Sequence, residues 1–520
     1  MDLGVRHAGH GHGHGGSHFA NVKYGYIILG LSLVYAAYVS VARYLYLRKW
    51  NKQARTPTGF LRAAAFGHLA IHVIVWILIF TVLLFMNVHN LSTTYSMVLK
   101  RLGRLAYCLV PLDAVLALRP AFLGPHASYL QHLGLHKWLS RLILVAVVAH
   151  GIGYSVKWLI EHRFWNRTLA WRNFLGVVPF WMTLVLLVVS LRPVRRKIYG
   201  LFYIWHNVTV FAFTGFMLWH ARPGVTDILV LAFLLYGIQI FLRIRYTFKL
   251  EKVTIFDTEE SLLRLVRLQK PPNYPVEWVP GSHLRFSWRL TNWRYWVWPS
   301  HPFSICSLPN DSTVDLVVKK GLRFEIFSSL EYSMTSPYSS VPPPLFDTAD
   351  NVHVICGGSG ISLGVPVYRY FKKNSSVLAN MTWCVRNASD TFVLSELGIS
   401  HPVDVFVTKG ESSSTMFVNN GSEEDYGLLN SKGDDLELES LNLEETDSTN
   451  PFADEFKMSQ DVVKFKRGRP LFDEIFSQFR ETDEPRNKWI VVCGPSSLIN
   501  AVKKWGKLHQ VQVFEEVYDM

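Results

Sequence analysis

Long apolar runs fill the first 245 positions of the chain, and short alternating runs replace them after Arg245. The long runs fall at about 24–46, 66–86, 102–118, 139–157, 174–191, 201–220 and 226–243. Most reach or approach the ~20 residues that an α-helix needs to cross a bilayer. Seven crossings put the two termini on opposite sides of the membrane. Beyond Arg245, KVTIFD, LLRLVRL, HLRFSWRL and TVDLVVKK alternate between Pro- and Gly-rich turns, which predicts a small antiparallel barrel to about residue 345. VPPPLF at 341–346 reads as a linker. NVHVICGGSGIS then reads as strand, glycine turn and helix, the opening of an α/β nucleotide-binding domain. Residues 411–456, rich in Ser, Asp, Glu and Asn, cannot bury enough apolar surface to fold and read as a disordered acidic insertion.

The expected fold class is a multi-pass α-helical membrane domain followed by an antiparallel β-barrel and an α/β domain. Its parts are a His/Gly-rich tail (1–23), two spans (24–100), a histidine-bearing core (101–220), a last span (221–245), the barrel (246–345) and the nucleotide domain (350–520).

Charge refines the topology. The net charge of +13 gathers in clusters beside the apolar runs, which marks membrane orientation and not nucleic-acid binding. The first loop, RYLYLRKWNKQARTPTGFLR, and RPVRRK at 192–197 face the cytosol on this rule. The N-terminus is then outside and the C-terminal half cytosolic, in the plasma membrane or the endoplasmic reticulum. KRLGR at 100–104 and the arginines between Arg163 and Arg172 fall outside and depart from the rule. Sequons at Asn90 and Asn166 lie on the outer side. Cys108, Cys306, Cys356, Cys384 and Cys493 show neither CxxC spacing nor a disulfide framework, and four of them fall in the soluble half, as in a reducing cytosol. No signal peptide is evident, because a long polar stretch precedes the first apolar run.

Histidines then give the membrane half a chemistry. HKWLSRLILVAVVAH runs from His136 to His150, and HNVTVFAFTGFMLWH from His206 to His220, with the same spacing. On a helix fourteen residues is about 40° short of four turns, so both ends of each stretch face nearly the same way, roughly 21 Å apart. One span separates the two helices, so they run parallel. His136 faces His206 at the inner level and His150 faces His220 at the outer level. Two pairs of imidazoles at two depths predict two b-type haems, each with two axial histidines. Interfacial or helix-packing histidines are the plainer reading of any one of them, but not of two equal spacings on parallel spans. His68 and His72, at i and i+4 on the second span, have no partner helix of this kind and read as packing or hydrogen-bonding groups. The N-terminal HAGHGHGHGGSH is either a chelator of copper, zinc or iron or a flexible polar tail.

The soluble half carries nucleotide motifs. HPFSICS at 301–307 follows strand-like RYWVW, and Ser304 offers a hydroxyl and His301 a ring to a flavin. PGSHLRF at 280–286 fits an earlier barrel strand, and Lys319, Lys320 and Gly321 are suited to a diphosphate. Gly357, Gly358 and Gly360 lie between a strand and a helix, where glycine lets backbone approach a pyrophosphate. Arg386, after another strand, suits a 2′-phosphate or is a surface arginine. Cys493, Gly494 and Pro495 form either a turn beside a nicotinamide or an ordinary strand-to-helix turn.

The ordered set RLGRLAYCLVPLDAVLALRP, the two histidine pairs, HKWLSR, PGSH, HPFS, GGSGIS, WCVR and CGP resembles the fungal ferric-reductase (metalloreductase) family, relatives of the NADPH oxidases, over most of 101–520. The resemblance implies a ferric-reductase-like bis-haem domain joined to a ferredoxin-reductase-like unit that binds FAD in the barrel and NADPH in the last domain. It implies that His301, Pro302, Phe303 and Ser304 contact the flavin, and that Gly357, Gly358, Ser359, Gly360, Ile361, Ser362, Cys493, Gly494 and Pro495 contact NADPH. Family members often end in an aromatic residue that stacks on the flavin, and Tyr518 is the counterpart here. The long outer domain of the large iron-uptake members is not seen, so the chain resembles a small seven-span member. The expected activity is electron transfer from cytosolic NADPH through FAD and two haems to an outer acceptor. That acceptor is a ferric or cupric ion or, in an NADPH-oxidase reading, dioxygen reduced to superoxide. A non-enzymatic membrane scaffold or transporter predicts no haem and no NADPH oxidation. The lipid bilayer is the one partner the sequence marks, and it identifies no regulatory protein partner.

Overall fold

The computed structural model describes residues 16–53, 68–119, 129–321, 324–373, 376–408, 463–479 and 487–517. Most of the His/Gly-rich tail, the acidic insertion 411–456 and Tyr518 lie outside the described residues. The membrane half is built from α1 (Gly16–Gln53), α2 (Leu69–Phe85), α3 (Leu91–Cys108), α4 (Val110–Ala117), α5 (Tyr129–Ile160), α6 (Trp171–Ser190), α7 (Tyr199–His220) and α8 (Thr226–Arg245). Among the described residues, five of these (α1, α5, α6, α7 and α8) carry a segment long and apolar enough to cross a membrane, while α2 is a shorter apolar helix of 17 residues.

The expected span at 102–118 is a pair of helices. Pro111 sits in the first turn of α4 and has no N–H to continue the ladder of α3, so the chain steps at Leu109. The pair still travels the depth of the histidine helices. The Leu99 carbonyl on α3 meets His150, and Asp113 on α4 meets His136. Its two buried arginines are fully engaged. Arg101 donates to the carbonyls of Leu84 and Met86 at 3.0 and 2.7 Å and to Asn21 at 3.1 Å, and lies 3.9 Å over the Tyr24 ring. Arg104 donates to the carbonyls of Ala221, Pro223 and Gly224 at 2.6, 2.7 and 3.0 Å. A buried cation is tolerated only when its donors are satisfied in this way. Here they tie α3 to α1, to the end of α2 and to the turn after α7.

The barrel-like unit has two antiparallel sheets. One runs β1 (Thr247–Lys249), β7 (Tyr332–Tyr338), β4 (His283–Trp288), β5 (His301–Ser304), and the other β2 (Val253–Asp257), β3 (Leu263–Gln269), β6 (Thr313–Lys319). Leu284, Phe286, Leu316, Leu268 and Met334 fill the space between them and are fully buried. RYWVW is not a strand. Asn292 caps a short helix, α9 (Trp293–Val297), by accepting from Arg294 N at 3.0 Å. That helix docks the barrel on the membrane half. Arg243 at the end of α8 donates to the Tyr295 carbonyl and lies 4.2 Å over the Tyr295 ring, while Trp298 packs on Gly200 at the start of α7.

The stretch expected as a linker contains a short helix, Pro343–Thr348, and its Val341 and Leu345 are buried in the core shared with the last domain. It is a packed joint. The last domain is a parallel sheet in the order β11 (Val463–Arg467), β10 (Val403–Val407), β9 (Leu378–Val385), β8 (Asn351–Gly357), β12 (Lys488–Gly494), β13 (Gln512–Val517). Both faces are covered, with α10 (Ile361–Lys372) following β8 and α11 (Ser496–Leu508) following β12. The strand order reverses between β8 and β12, and a doubly wound sheet opens its ligand crevice at such a point.

Candidate functional site

The structure brings the four membrane histidines together as two pairs. The rings of His136 and His206 have centroids 6.3 Å apart, and those of His150 and His220 6.1 Å apart, with ring planes 88° apart in both pairs. An imidazole nitrogen lies about 2 Å from a bound metal, with the ring centre about 1 Å further, so two axial imidazoles on one metal have centroids about 6 Å apart. The observed spacing matches a ring–metal–ring arrangement at both depths.

The ring orientations are set from behind. His150 Nδ1 pairs with the Leu99 carbonyl at 2.7 Å, and His220 Nδ1 with the Arg172 carbonyl at 2.8 Å. His136 Nδ1 lies 3.1 Å from the Asp113 carbonyl and 3.0 Å from its carboxylate. A carbonyl or carboxylate only accepts, so each of these Nδ1 atoms carries the proton and each Nε2 keeps its lone pair for a metal. His206 stacks on Phe202 at 5.6 Å. Glycines leave the rings their room. A Cβ at Gly103 would lie 2.9 Å from His150 Nδ1, and one at Gly176 2.3 Å from His220 Cε1. The other two histidines of interest are engaged elsewhere: His68 accepts from Ala70 N at the start of α2, and His72 pairs with Tyr35 at 3.2 Å.

The barrel places HPFS beside β4, with Ser304 opposite His283, Phe303 opposite Leu284, Pro302 opposite Arg285 and His301 opposite Phe286. His301 stacks on Phe324 at 4.0 Å. Phe324 also lines a hollow with Arg264, Lys319, Lys320 and Gly321, so the two sequence motifs meet across one aromatic ring. Lysine and arginine are diphosphate donors, and here Arg264 and Lys320 both pair with Asp257. Burial, with Arg285 adding to it, pushes the His301 imidazole down to about 4. Burial, with Arg285 and Arg119 adding to it, pushes His283 down to about 3. Both rings are therefore neutral at pH 7.

In the last domain the two glycine turns meet at the reversal point. Gly360 is so close to the next loop that a Cβ there would lie 2.4 Å from the Cys493 carbonyl oxygen, and one on Gly357 would lie 2.8 Å from Pro495. Gly358 takes a φ of +52°, and its carbonyl accepts from Trp383 Nε1 at 2.9 Å. Ser359 lies in the tight turn itself, and Ile361 opens α10. Ser362 donates to the Ser359 carbonyl at 2.9 Å. This is a backbone cradle at a helix start, which fits a pyrophosphate. Arg386 is exposed directly after β9, three residues past Trp383.

Curated relatives match this chain from end to end. A protein of Clavispora lusitaniae named probable metalloreductase AIM14 is 47% identical over 100% of this chain and 99% of its own length. Proteins of the same name from Debaryomyces hansenii and Kluyveromyces lactis are 37% and 32% identical, covering 99% and 97% of this chain and 98% of each relative. The chain belongs to the fungal ferric reductase family.

Residues 102–217 match the ferric reductase like transmembrane component, 245–341 an FAD-binding domain and 349–506 the ferric reductase NAD binding domain. The protein is thus an oxidoreductase with a transmembrane component and FAD- and NAD-binding parts. Three residues that the sequence reading did not place in this ferric reductase's site stand beside the ones it did. Asp113 is the single acid within 102–118, and an acid in an apolar run is the signal that marks it. His283 is opposite Ser304, its Nδ1 2.7 Å from Ser340 Oγ, and PGSH is its signal. Glu516 is opposite Cys493 in register; burial pushes its carboxyl up to about 7, and its Oε2 has no hydrogen-bond partner among the described residues. No local pattern marks Glu516, which sits in an ordinary edge strand.

Proposed function

We propose that this ferric reductase moves electrons from cytosolic NADPH across the membrane to ferric or cupric ions outside. The observation that carries the reading is the metal-sized gap between facing imidazoles at two depths, 6.3 and 6.1 Å between centroids. Among the described residues no three His, Cys, Asp or Glu side chains converge as on a zinc site, which favours a porphyrin that brings its own equatorial nitrogens. His136 and His206 would hold an inner b-type haem, and His150 and His220 an outer one. When bound, NADPH supplies a hydride, FAD converts the electron pair to single electrons, and the haems carry those one at a time.

The chain's own part is positioning. Gly357 to Ser362 and Cys493 to Pro495 would seat the NADPH pyrophosphate and nicotinamide, and Arg386 its 2′-phosphate. His301, Pro302, Phe303 and Ser304 would hold the flavin, with Lys319 and Lys320 at its diphosphate. Neutral His283 and His301 add no charge beside the flavin. The basic clusters support a cytosolic position for this half, at the plasma membrane or the endoplasmic reticulum. The names of the relatives favour a metal ion as acceptor. Full-length protein in proteoliposomes, given NADPH on the soluble-domain side, should reduce chelated ferric or cupric ions on the other side. NADPH consumption matched by superoxide instead of reduced metal would make dioxygen the acceptor and overturn this choice.

A further inference from the structure

Asp113 makes the two histidine pairs chemically unequal. The outer pair is backed by peptide carbonyls alone, Leu99 O on His150 at 2.7 Å and Arg172 O on His220 at 2.8 Å. In the inner pair His136 Nδ1 also meets a carbonyl, that of Asp113 at 3.1 Å, but it has in addition the Asp113 carboxylate beside it, with Oδ1 3.0 Å away. Ser140 holds that carboxylate in place by donating to Oδ2 at 2.7 Å from one turn further along the same helix as His136. Both side chains of the His136–Asp113 pair are 16% exposed, so the pair is largely shielded from solvent.

A carboxylate this close to a ligand imidazole's N–H makes that imidazole more electron-rich than a peptide carbonyl alone does, and its charge stabilises the more positive state of the metal beyond it. A neutral carbonyl does this weakly. We infer that Asp113 is a positioning residue that holds the inner metal site at a lower reduction potential than the outer one, so that transfer from the cytosolic to the outer side runs downhill. The inference rests on the haem reading given above. It assigns the direction of the gradient to one side chain, on the helix that the step at Leu109 brings beside His136.

The test is a spectroscopic redox titration of the full-length, haem-loaded protein in detergent. Unmodified protein should titrate in two steps, and a variant lacking His206 should keep only the higher one, which assigns the lower step to the inner site. Asp113→Asn keeps an acceptor of the same shape without the charge. It should retain both haems and raise the lower step by at least tenfold in the one-electron equilibrium, about 59 mV, with the upper step unmoved. Asp113→Glu should restore the lower step. Two unmoved steps in Asp113→Asn, or loss of the inner haem from it, would overturn the inference and leave Asp113 inert or a structural latch. Absence of any b-type signal in unmodified protein would instead sink the haem reading, and the inference with it.

Discussion

Gly176 and Gly103 are the residues whose replacement should be least tolerated in the membrane half. Each lies against a histidine ring that is already pinned from behind by a carbonyl, so the ring cannot retreat without losing that bond. Gly176→Ala would set a methyl 2.3 Å from His220, and it should cost the outer haem while leaving the inner one. The haem-to-protein ratio of the purified variant, expected at half the unmodified value, checks this. In the last domain Gly360→Ala meets backbone, the Cys493 carbonyl at 2.4 Å, and the loops must part. NADPH affinity should fall by at least tenfold with flavin content unchanged, read as NADPH-dependent flavin reduction. The four membrane histidines were legible in the sequence because a fourteen-residue spacing on a helix is local geometry. Asp113 was not. Its role depends on which helix packs beside His136, and a single chain position does not carry that.

The elements follow the hydrophobic pattern wherever the pattern is local. The apolar runs become helices, the alternating runs become barrel strands, and VICGGSG becomes strand and turn. The misses share a cause. Pro111 splits a continuous apolar run, Asn292 caps WRYWV into a helix, and the Pro-rich stretch at 341–346 packs Val341 and Leu345 into a core. In each case one residue's backbone chemistry or a tertiary contact overrode the averaged pattern. Three strands of the soluble half also carry buried or half-buried histidines with a measurable consequence. Burial holds His283, His301 and His353 at about 3, 4 and 3, below the 6.5 of a free imidazole, so each stays neutral when folded but takes up a proton when unfolded. Their contribution to stability is present above 6.5 and is lost as pH falls. Glu516, raised by burial from 4.5 to about 7, acts in the opposite sense across that window and offsets one of the three. The net of two protons means that stability should fall by about 3 kcal/mol per pH unit between about 6.5 and 4.5. Thermal melting of the soluble half, followed by flavin release across that range, should show this slope, and Glu516→Gln should steepen it.

At the scale of the whole molecule, function needs the barrel seated on the membrane half. Arg243 on Tyr295 and Trp298 on Gly200 make that joint. A Cβ at Gly200 would lie 2.6 Å from the Trp298 ring, so Gly200→Val should loosen the seat. NADPH-to-dye transfer by the soluble half should be unchanged, and NADPH-driven haem reduction should slow by at least tenfold in stopped-flow absorbance. The order of the three parts was readable from composition and motif. The joint was not, because it pairs residues far apart in the chain. The proposed electron path needs two haems between α5 and α7. The decisive measurement is a reduced-minus-oxidised spectrum of the purified protein, with His136, His150, His206 and His220 replaced one at a time. Two b-type haems per chain, falling to one in each single variant, is the predicted result. No b-type absorbance in the cofactor-supplied protein, or two haems retained in every variant, would contradict it.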